Sequence, residues 1–416
     1  MMDAAAARQD RDAKSILMLT ADRQIDRRIL LQADSLEKVG WQVTILAMKD
    51  EDADRRDDSR VVRVGGGTEV GGLEERVADG YRQLARRLPM NGPVMRLLKG
   101  LAWRFLVDQE TFHARLYSGV ASRFAPQVVV AHDLPMLPVS CQVARACGAR
   151  LVYDSHELYS EQEFPGREKK RWAEIEARYI RNCDAVMTIN ESIAGELARR
   201  YGLHQVHVVS NAERASDPPP ISRRLHELFG LPATRKLLLF QGGLSANRNL
   251  QALVEAMRHV TNPDVVLVIL GDGALQQNLM REARSQPGAQ RVFFHHAVPQ
   301  HELLLHTAAA DAGVIPYQAT CLNNYFCTPN KLFEFIAAGI PILGSDLPEI
   351  SSMVAGRCIG LVGDMTGAQA VAGLIDQMFA DEARFAVWQE NLQEARKAVS
   401  WEAEEGKLVA IYRALQ

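Results

Sequence analysis

The chain alternates short apolar runs with longer amphipathic stretches, and this alternation predicts its elements. Ser15 to Thr20 (SILMLT) is an apolar run, followed by a helical pattern over 25–39 that stops at Gly40. Runs at 41–48 and 61–64 predict two further strands. The pattern resumes with strands at 127–133, 150–157, 184–190 and 206–211, separated by helices at 135–148, near 168–182 and at 192–201. A second set follows, with strands at 236–241, 264–273, 291–294, 312–317, 340–345 and 360–364 and helices at 249–260, 274–285 and 300–310. Strand, helix and strand with short connections predict parallel sheets with right-handed crossovers. Segment 213–222 (ERASDPPPIS) holds three consecutive prolines and is the predicted linker. The expected architecture is α/β, with two doubly wound Rossmann-like domains. A tail at 1–14 precedes a first domain at 15–212, the linker 213–222, a second domain at 223–395 and a closing helix at 396–416. Such domains bind ligands beyond the carboxyl ends of their strands, so a cleft between the two is the expected site.

Composition narrows the class. Of 416 residues 47% are hydrophobic and 24% charged, with a formal net charge of −3, so charge lends nucleic-acid binding no support. The six cysteines form no CxxC pair and no Cys/His cluster with metal-ligand spacing, which fits reduced thiols in a cytoplasmic enzyme. The first fourteen residues lack the apolar core of a signal peptide, and no run reaches the length of a membrane-spanning helix. One stretch breaks the strand–helix rhythm, a helical insertion over 73–124. From 80 to 124 it carries eight Lys/Arg against two acidic residues, around the apolar-basic run VMRLLKGLAWRFL (94–106). That pattern fits peripheral contact with an anionic membrane, or a one-sided buried helix with snorkelling basic residues.

The richest stretch for chemistry is TPNKLFEFIAAGIPIL (328–343). Thr328 reads as an N-cap and Pro329 as the first helical residue, with Asn330 and Lys331 completing the turn and Gly339 stopping the helix. A helix start offers free amides and the positive end of a dipole, which favours a phosphate. Lys331 adds charge, and Glu334 lies one turn deeper on the same face, where a carboxylate can accept from two neighbouring hydroxyls of a ribose. The alternative is an ordinary surface pair of Lys331 and Glu334 on an amphipathic helix. A dinucleotide fold fails its own test. TADRQIDRR follows the first strand with no glycine, the later GDG (271–273) lacks the third glycine, and no P-loop is present. Gln241, Gly242, Gly243, Leu244 and Ser245 form a strand-to-helix turn where glycines admit a ligand, and Arg248 can grip a phosphate with two bonds. In the first half, His132 and Asp133 end one apolar strand, while Asp154, Ser155, His156 and Glu157 end the next. This places ionisable groups at two successive strand ends. His295 and His296 are adjacent and so face opposite ways, which argues against a metal site.

On these residues the chain resembles a retaining glycosyltransferase of the GT-B fold, in the large family-four (glycosyl transferases group 1) type. The resemblance covers about 15–416 and is most specific over NNYFCTPNKLFEFIAAGIPIL (323–343). It is supported by HDLPML (132–137), YDSHE (153–157), VVSNAE (208–213) and FQGGLSANRNL (240–250). It implies a final helix that crosses back onto the first domain. It also implies a donor diphosphate bound by Gly242, Gly243, Arg248 and the loop Thr328, Pro329, Asn330 and Lys331, with Glu334 on the ribose. His296 to Val298 would lie near the base, and His132 near the transferred sugar. Asp133, His156, Glu157, Asn323 and Asn324 remain sugar-proximal or acceptor-side candidates.

Two departures stand out. The first of the family's two usual glutamates is Phe326 here, with Asn323 or Asn324 as candidate substitutes, and Thr20-Ala21-Asp22-Arg23 replaces a glycine-rich loop. The implied activity moves a hexose-type sugar from a nucleoside-diphosphate sugar to a glycan, lipid-linked or small-molecule acceptor, with no obligatory metal or other cofactor. His132, Arg248 and Lys331 would carry the chemistry, the two cations stabilising the leaving phosphate by about 3 kcal/mol each. A non-transferring nucleotide-sugar epimerase or hydrolase, or an inactive partner subunit, are the alternatives.

Overall fold

A computed structural model describes residues 14–49, 58–65, 109–215, 222–285 and 287–416. The candidate membrane-contacting run at 94–106 lies outside the described residues, as do 216–221 of the predicted linker. Among the described residues no helix is long and apolar enough to cross a membrane.

Two parallel sheets carry the structure. The first runs β3-β2-β1-β4-β5-β6-β7, where β1 is Ser15–Thr20, β2 Gln42–Met48, β3 Val61–Val64, β4 Val128–His132, β5 Arg150–Ser155, β6 Ala185–Thr188 and β7 His207–Val208. The second runs β10-β9-β8-β11-β12-β13, with β8 Lys236–Gln241, β9 Val265–Leu270, β10 Val292–His295, β11 Ala312–Ile315, β12 Ile342–Ser345 and β13 Gly360–Gly363. Both have the doubly wound order, so the predicted α/β class holds. In each sheet the order reverses beside the first strand, between β1 and β4 and between β8 and β11. Sites form at such reversals. The central strands β4 and β9 are buried along their whole length, as expected of parallel strands covered on both faces.

The chain falls into two compact units. One takes the described residues up to His156 with Lys170–Met187 and Ile411–Gln416, and the other takes Glu157–Lys169 and Thr188–Ala410. In the first, helix Arg27–Lys38 starts at Asp26, whose carboxylate accepts from the Arg28 amide at 2.7 Å. Its buried face carries Ile29, Leu31, Ala33 and Leu36, but also Arg28 and Gln32, two polar residues one turn apart. In the last six residues Tyr412 packs edge-on against Trp41, with ring centroids 6.3 Å apart. The second unit has its own apolar core, in which helix Asn330–Ala338 buries Leu332, Phe333, Phe335 and Ile336.

Candidate functional site

At the order reversal of the second sheet, β8 ends in the buried Gln241 and the chain turns through Gly242 at φ 114°. A β-carbon at Gly242 would sit 3.4 Å from Lys331 Nζ, so any side chain here would fill the space over the lysine. At Gly243 the same position is open space. The turn rests on the GDG segment. A β-carbon at Gly271 (φ 149°) would lie 2.0 Å from the Gly242 carbonyl oxygen, and one at Gly273 would lie 2.5 Å from that of Leu244. The motif that failed as a dinucleotide fingerprint therefore acts as the floor of this turn.

Lys331 is 6% exposed, with Nζ 3.7 Å from the Phe240 ring centroid and 5.1 Å from that of Tyr317. The guanidinium of Arg248, in the single 3₁₀ turn Ala246–Arg248, lies 4.3 Å from the same Tyr317 ring. Neither cation has a carboxylate within salt-bridge distance among the described residues. Burial, then the Arg248 charge, pushes the Lys331 ammonium well below its ordinary pKa, and Glu334 only partly offsets them. The alternative of an exposed Lys331–Glu334 surface pair is thereby excluded. Glu334 Oε2 instead accepts from Gln241 Nε2 at 2.5 Å, and Gln241 Oε1 accepts from the Thr307 hydroxyl at 2.8 Å.

The helix beside them departs from the sequence expectation by one residue. Pro329, at ψ 144°, is the N-cap of Asn330–Ala338, and no side chain caps the helix. The Thr328 hydroxyl faces Asn190, whose Nδ2 donates to Thr328 Oγ1 at 2.7 Å and to the Phe326 carbonyl at 2.8 Å. The other atom of that amide, Oδ1, caps helix Glu191–Tyr201 through the Ile193 amide. Asn330 Oδ1 accepts from Asn211 Nδ2 at 3.2 Å. At the end of β10, His296 Nδ1 lies 2.7 Å from Asp272 Oδ1, while Asp272 Oδ2 accepts from the Ala297 amide. Val298 packs against the core.

Asn323 bonds Glu157 at 2.9 Å and accepts from the Leu158 amide. Asn324 donates to Thr320 Oγ1, and Thr320 in turn bonds Glu163. Both asparagines thus anchor segment 157–169 to loop 320–324. Glu157 falls with this unit, while His156 falls with the first.

The first unit holds a buried charged cluster at its own order reversal. The β4–β5 register sets His132 beside Asp154. Asp154 is fully buried and accepts from Arg28 Nε (3.0 Å), Arg28 Nη2 (2.8 Å) and Gln32 Nε2 (2.6 Å). His156 Nε2 lies 3.1 Å from Asp154 Oδ2, and His132 Nδ1 lies 3.3 Å from it. Asp133, at φ 63°, accepts from the His156 amide at 2.9 Å. Burial lowers the His132 pKa. For His156 burial is outweighed by Asp133 and Asp154, which push it up to about 10. His132, Asp154 and His156 have ligand-type atoms within 4.8 Å of one another. Arg28 and Gln32 already donate to the same carboxylate.

Sequence reading missed Arg28, Gln32, Asn190 and Tyr317, and it placed Gln241 in the turn without its bond to Glu334. Only Asn190 had a local signal, as a helix cap before Glu191.

Residues 222–396 match the family model for glycosyl transferases group 1, and residues 25–212 match the glycosyl transferase 4-like domain. Both halves of the chain thus belong to glycosyltransferase families, and its fold is that of the GT-B structures. Among curated relatives, the D-inositol 3-phosphate glycosyltransferase of Xylanimonas cellulosilytica is 25% identical over 57% of this chain, which spans 58% of that protein. The glycogen synthase of Mycobacterium tuberculosis is 24% identical over 68% of this chain and 69% of its own length. Among solved structures, sucrose-phosphate synthase from Thermosynechococcus elongatus superposes at TM-score 0.74 with 17% identity, covering 97% of this chain and 99% of its own. Anabaena Alr3699/HepE in complex with UDP gives 0.66 and 14%, covering 96% and 100%.

Proposed function

We propose that the chain transfers a hexose-type sugar from a nucleoside-diphosphate sugar to a glycan, lipid-linked or small-molecule acceptor, with retention of configuration, in polysaccharide or glycoconjugate biosynthesis. The observation that carries this reading is the pair Arg248 and Lys331. Both converge on the Tyr317 ring without a carboxylate partner among the described residues, beside the uncapped start of helix Asn330–Ala338. Two cations and a helix dipole with no carboxylate in salt-bridge contact among the described residues suit a diphosphate. Glu334, oriented by Gln241, suits the ribose hydroxyls. The Anabaena HepE complexes with UDP and UDP-glucose lend support to a uridine donor.

In this reading the bond from the anomeric carbon to the β-phosphate oxygen breaks, and the leaving oxygen takes the electron pair. Arg248, Lys331 and the first amides of the helix meet that charge as fixed donors, each worth about 3 kcal/mol in comparable sites. The reading needs no obligatory metal. It assigns His132 to the transferred sugar and His296 to Val298 to the base. The basic stretch 80–124 fits a peripheral contact with an anionic membrane from the cytoplasmic side.

Titration calorimetry with UDP tests the donor site. Arg248→Ala and Glu334→Ala should each weaken UDP binding while the protein stays folded. Unchanged affinity in both overturns the assignment.

A further inference from the structure

The cluster in the first unit holds more than the proposed reaction has used. His132 is 1% exposed, yet its Nε2 has no hydrogen-bond partner. Its other nitrogen, Nδ1, is 3.2 Å from His156 Nε2 and 3.3 Å from Asp154 Oδ2. The ring state of this histidine decides whether Nε2 meets a substrate as an N–H donor or as a lone pair.

The surrounding groups decide it. His156 Nδ1 lies 3.4 Å from Asp133 Oδ2, and a bare nitrogen lone pair facing a carboxylate oxygen would be repelled. That nitrogen therefore carries a proton. His156 Nε2 faces the carboxylate oxygen Asp154 Oδ2, an acceptor, so it carries one as well. His156 is then an imidazolium, in keeping with a pKa pushed up to about 10. Arg28 and His156 are then both cations beside the Asp154 carboxylate. Tyr412, whose hydroxyl is buried against the same groups, stays a neutral phenol because burial raises its pKa.

Burial of the His132 ring disfavours its charged form, so it is neutral and carries a single ring proton. Asp154 Oδ2 already accepts from Gln32 at 2.6 Å, Arg28 at 3.0 Å and His156 at 3.1 Å. A carboxylate oxygen offers about two lone pairs, which these three nearer donors already crowd, so His132 Nδ1 at 3.3 Å, the longest of the contacts, adds no further donor there. His132 Nδ1 instead accepts from His156.

We propose that His156, clamped between Asp133 and Asp154, is a positioning residue that keeps the His132 proton on Nε2, so that His132 meets its substrate as a hydrogen-bond donor. The strained backbone of Asp133, with φ at 63°, supports this role, because it sets the carboxylate under both the amide and the ring of His156. The contact with a sugar rests on the transferase reading, but the ring state does not.

The test is a long-range proton–nitrogen correlation spectrum of the full chain labelled with ¹⁵N-histidine, with His132→Gln and His156→Gln assigning the two rings. Near neutral pH, His132 should show a protonated Nε2 and a bare Nδ1, and His156 should show both nitrogens protonated. In Asp133→Asn, an isosteric change, His156 should lose one ring proton and His132 should leave the pure Nε2–H form. A wild-type His132 protonated at Nδ1, or a His156 that keeps both protons in Asp133→Asn, overturns the proposal. If Asp133→Asn does not fold, the wild-type pattern alone decides. UDP calorimetry on the same sample separates the two readings. Lost UDP binding counts against the transferase, and a wrong ring pattern with UDP bound counts against His156 alone.

Discussion

Replacing Lys331 with methionine should weaken ligand binding and stabilise the free protein at once. The side chain is buried to 6% exposure, with its ammonium on the Phe240 and Tyr317 rings and no carboxylate partner among the described residues. Burying an unsatisfied polar group costs about 1–3 kcal/mol, of which contact with aromatic faces returns about 0.5–2 kcal/mol. Methionine keeps the packing and removes the penalty, so the variant should gain about 1 kcal/mol. It also loses charge-assisted bonds worth about 1.5–3 kcal/mol to a phosphate, which is roughly 10- to 150-fold in Kd for UDP.

The pH dependence carries the same signature. Lys331 binds its proton more weakly when folded, so the unfolded chain holds more protons between the depressed folded value and the ordinary 10.5. Stability of the wild type should therefore rise with pH through that window, and Lys331→Met should lose this rise. Urea denaturation at several pH values and UDP calorimetry measure both effects. A variant that unfolds more easily than wild type yet binds UDP equally well refutes the reasoning.

Three further substitutions follow from the packing. Asp154→Asn keeps the shape but removes the buried carboxylate paired with Arg28, and should cost about 3–5 kcal/mol in urea denaturation. Gly271→Ala places a β-carbon 2.0 Å from the Gly242 carbonyl oxygen and should destabilise the fold and weaken UDP binding, whereas Gly243→Ala, with open space, should leave stability unchanged. Asn190→Ala removes a helix cap worth about 0.5–2 kcal/mol and the two bonds to loop 326–328, and hydrogen exchange should show that loop opening more often.

What the sequence made legible was local. Continuous apolar runs such as VVVAH and VVLVIL announce strands buried on both faces, because no polar side is needed when helices cover the sheet. Gly242 and Lys331 were readable because a turn and a helix start have their own residue chemistry. Arg28 was not. In sequence it is one more charge at a helix start, and only the fold brings it to Asp154, 126 residues away. The cap at Thr328 was misread because its hydroxyl had a stronger partner in Asn190 than in its own helix. GDG looked like a failed fingerprint because the need for glycine came from a neighbouring backbone, which leaves no trace nearby in the chain.

The double use of Asn190 also ties together two stretches made far apart in time during synthesis. Its Oδ1 closes a helix cap three residues on, while its Nδ2 waits for Thr328, 138 residues later. At typical elongation rates of about 5–20 residues per second, the ribosome needs on the order of ten seconds to deliver that partner. The two partners of that one amide therefore leave the ribosome about ten seconds apart, and a chain arrested before Thr328 has the first without the second.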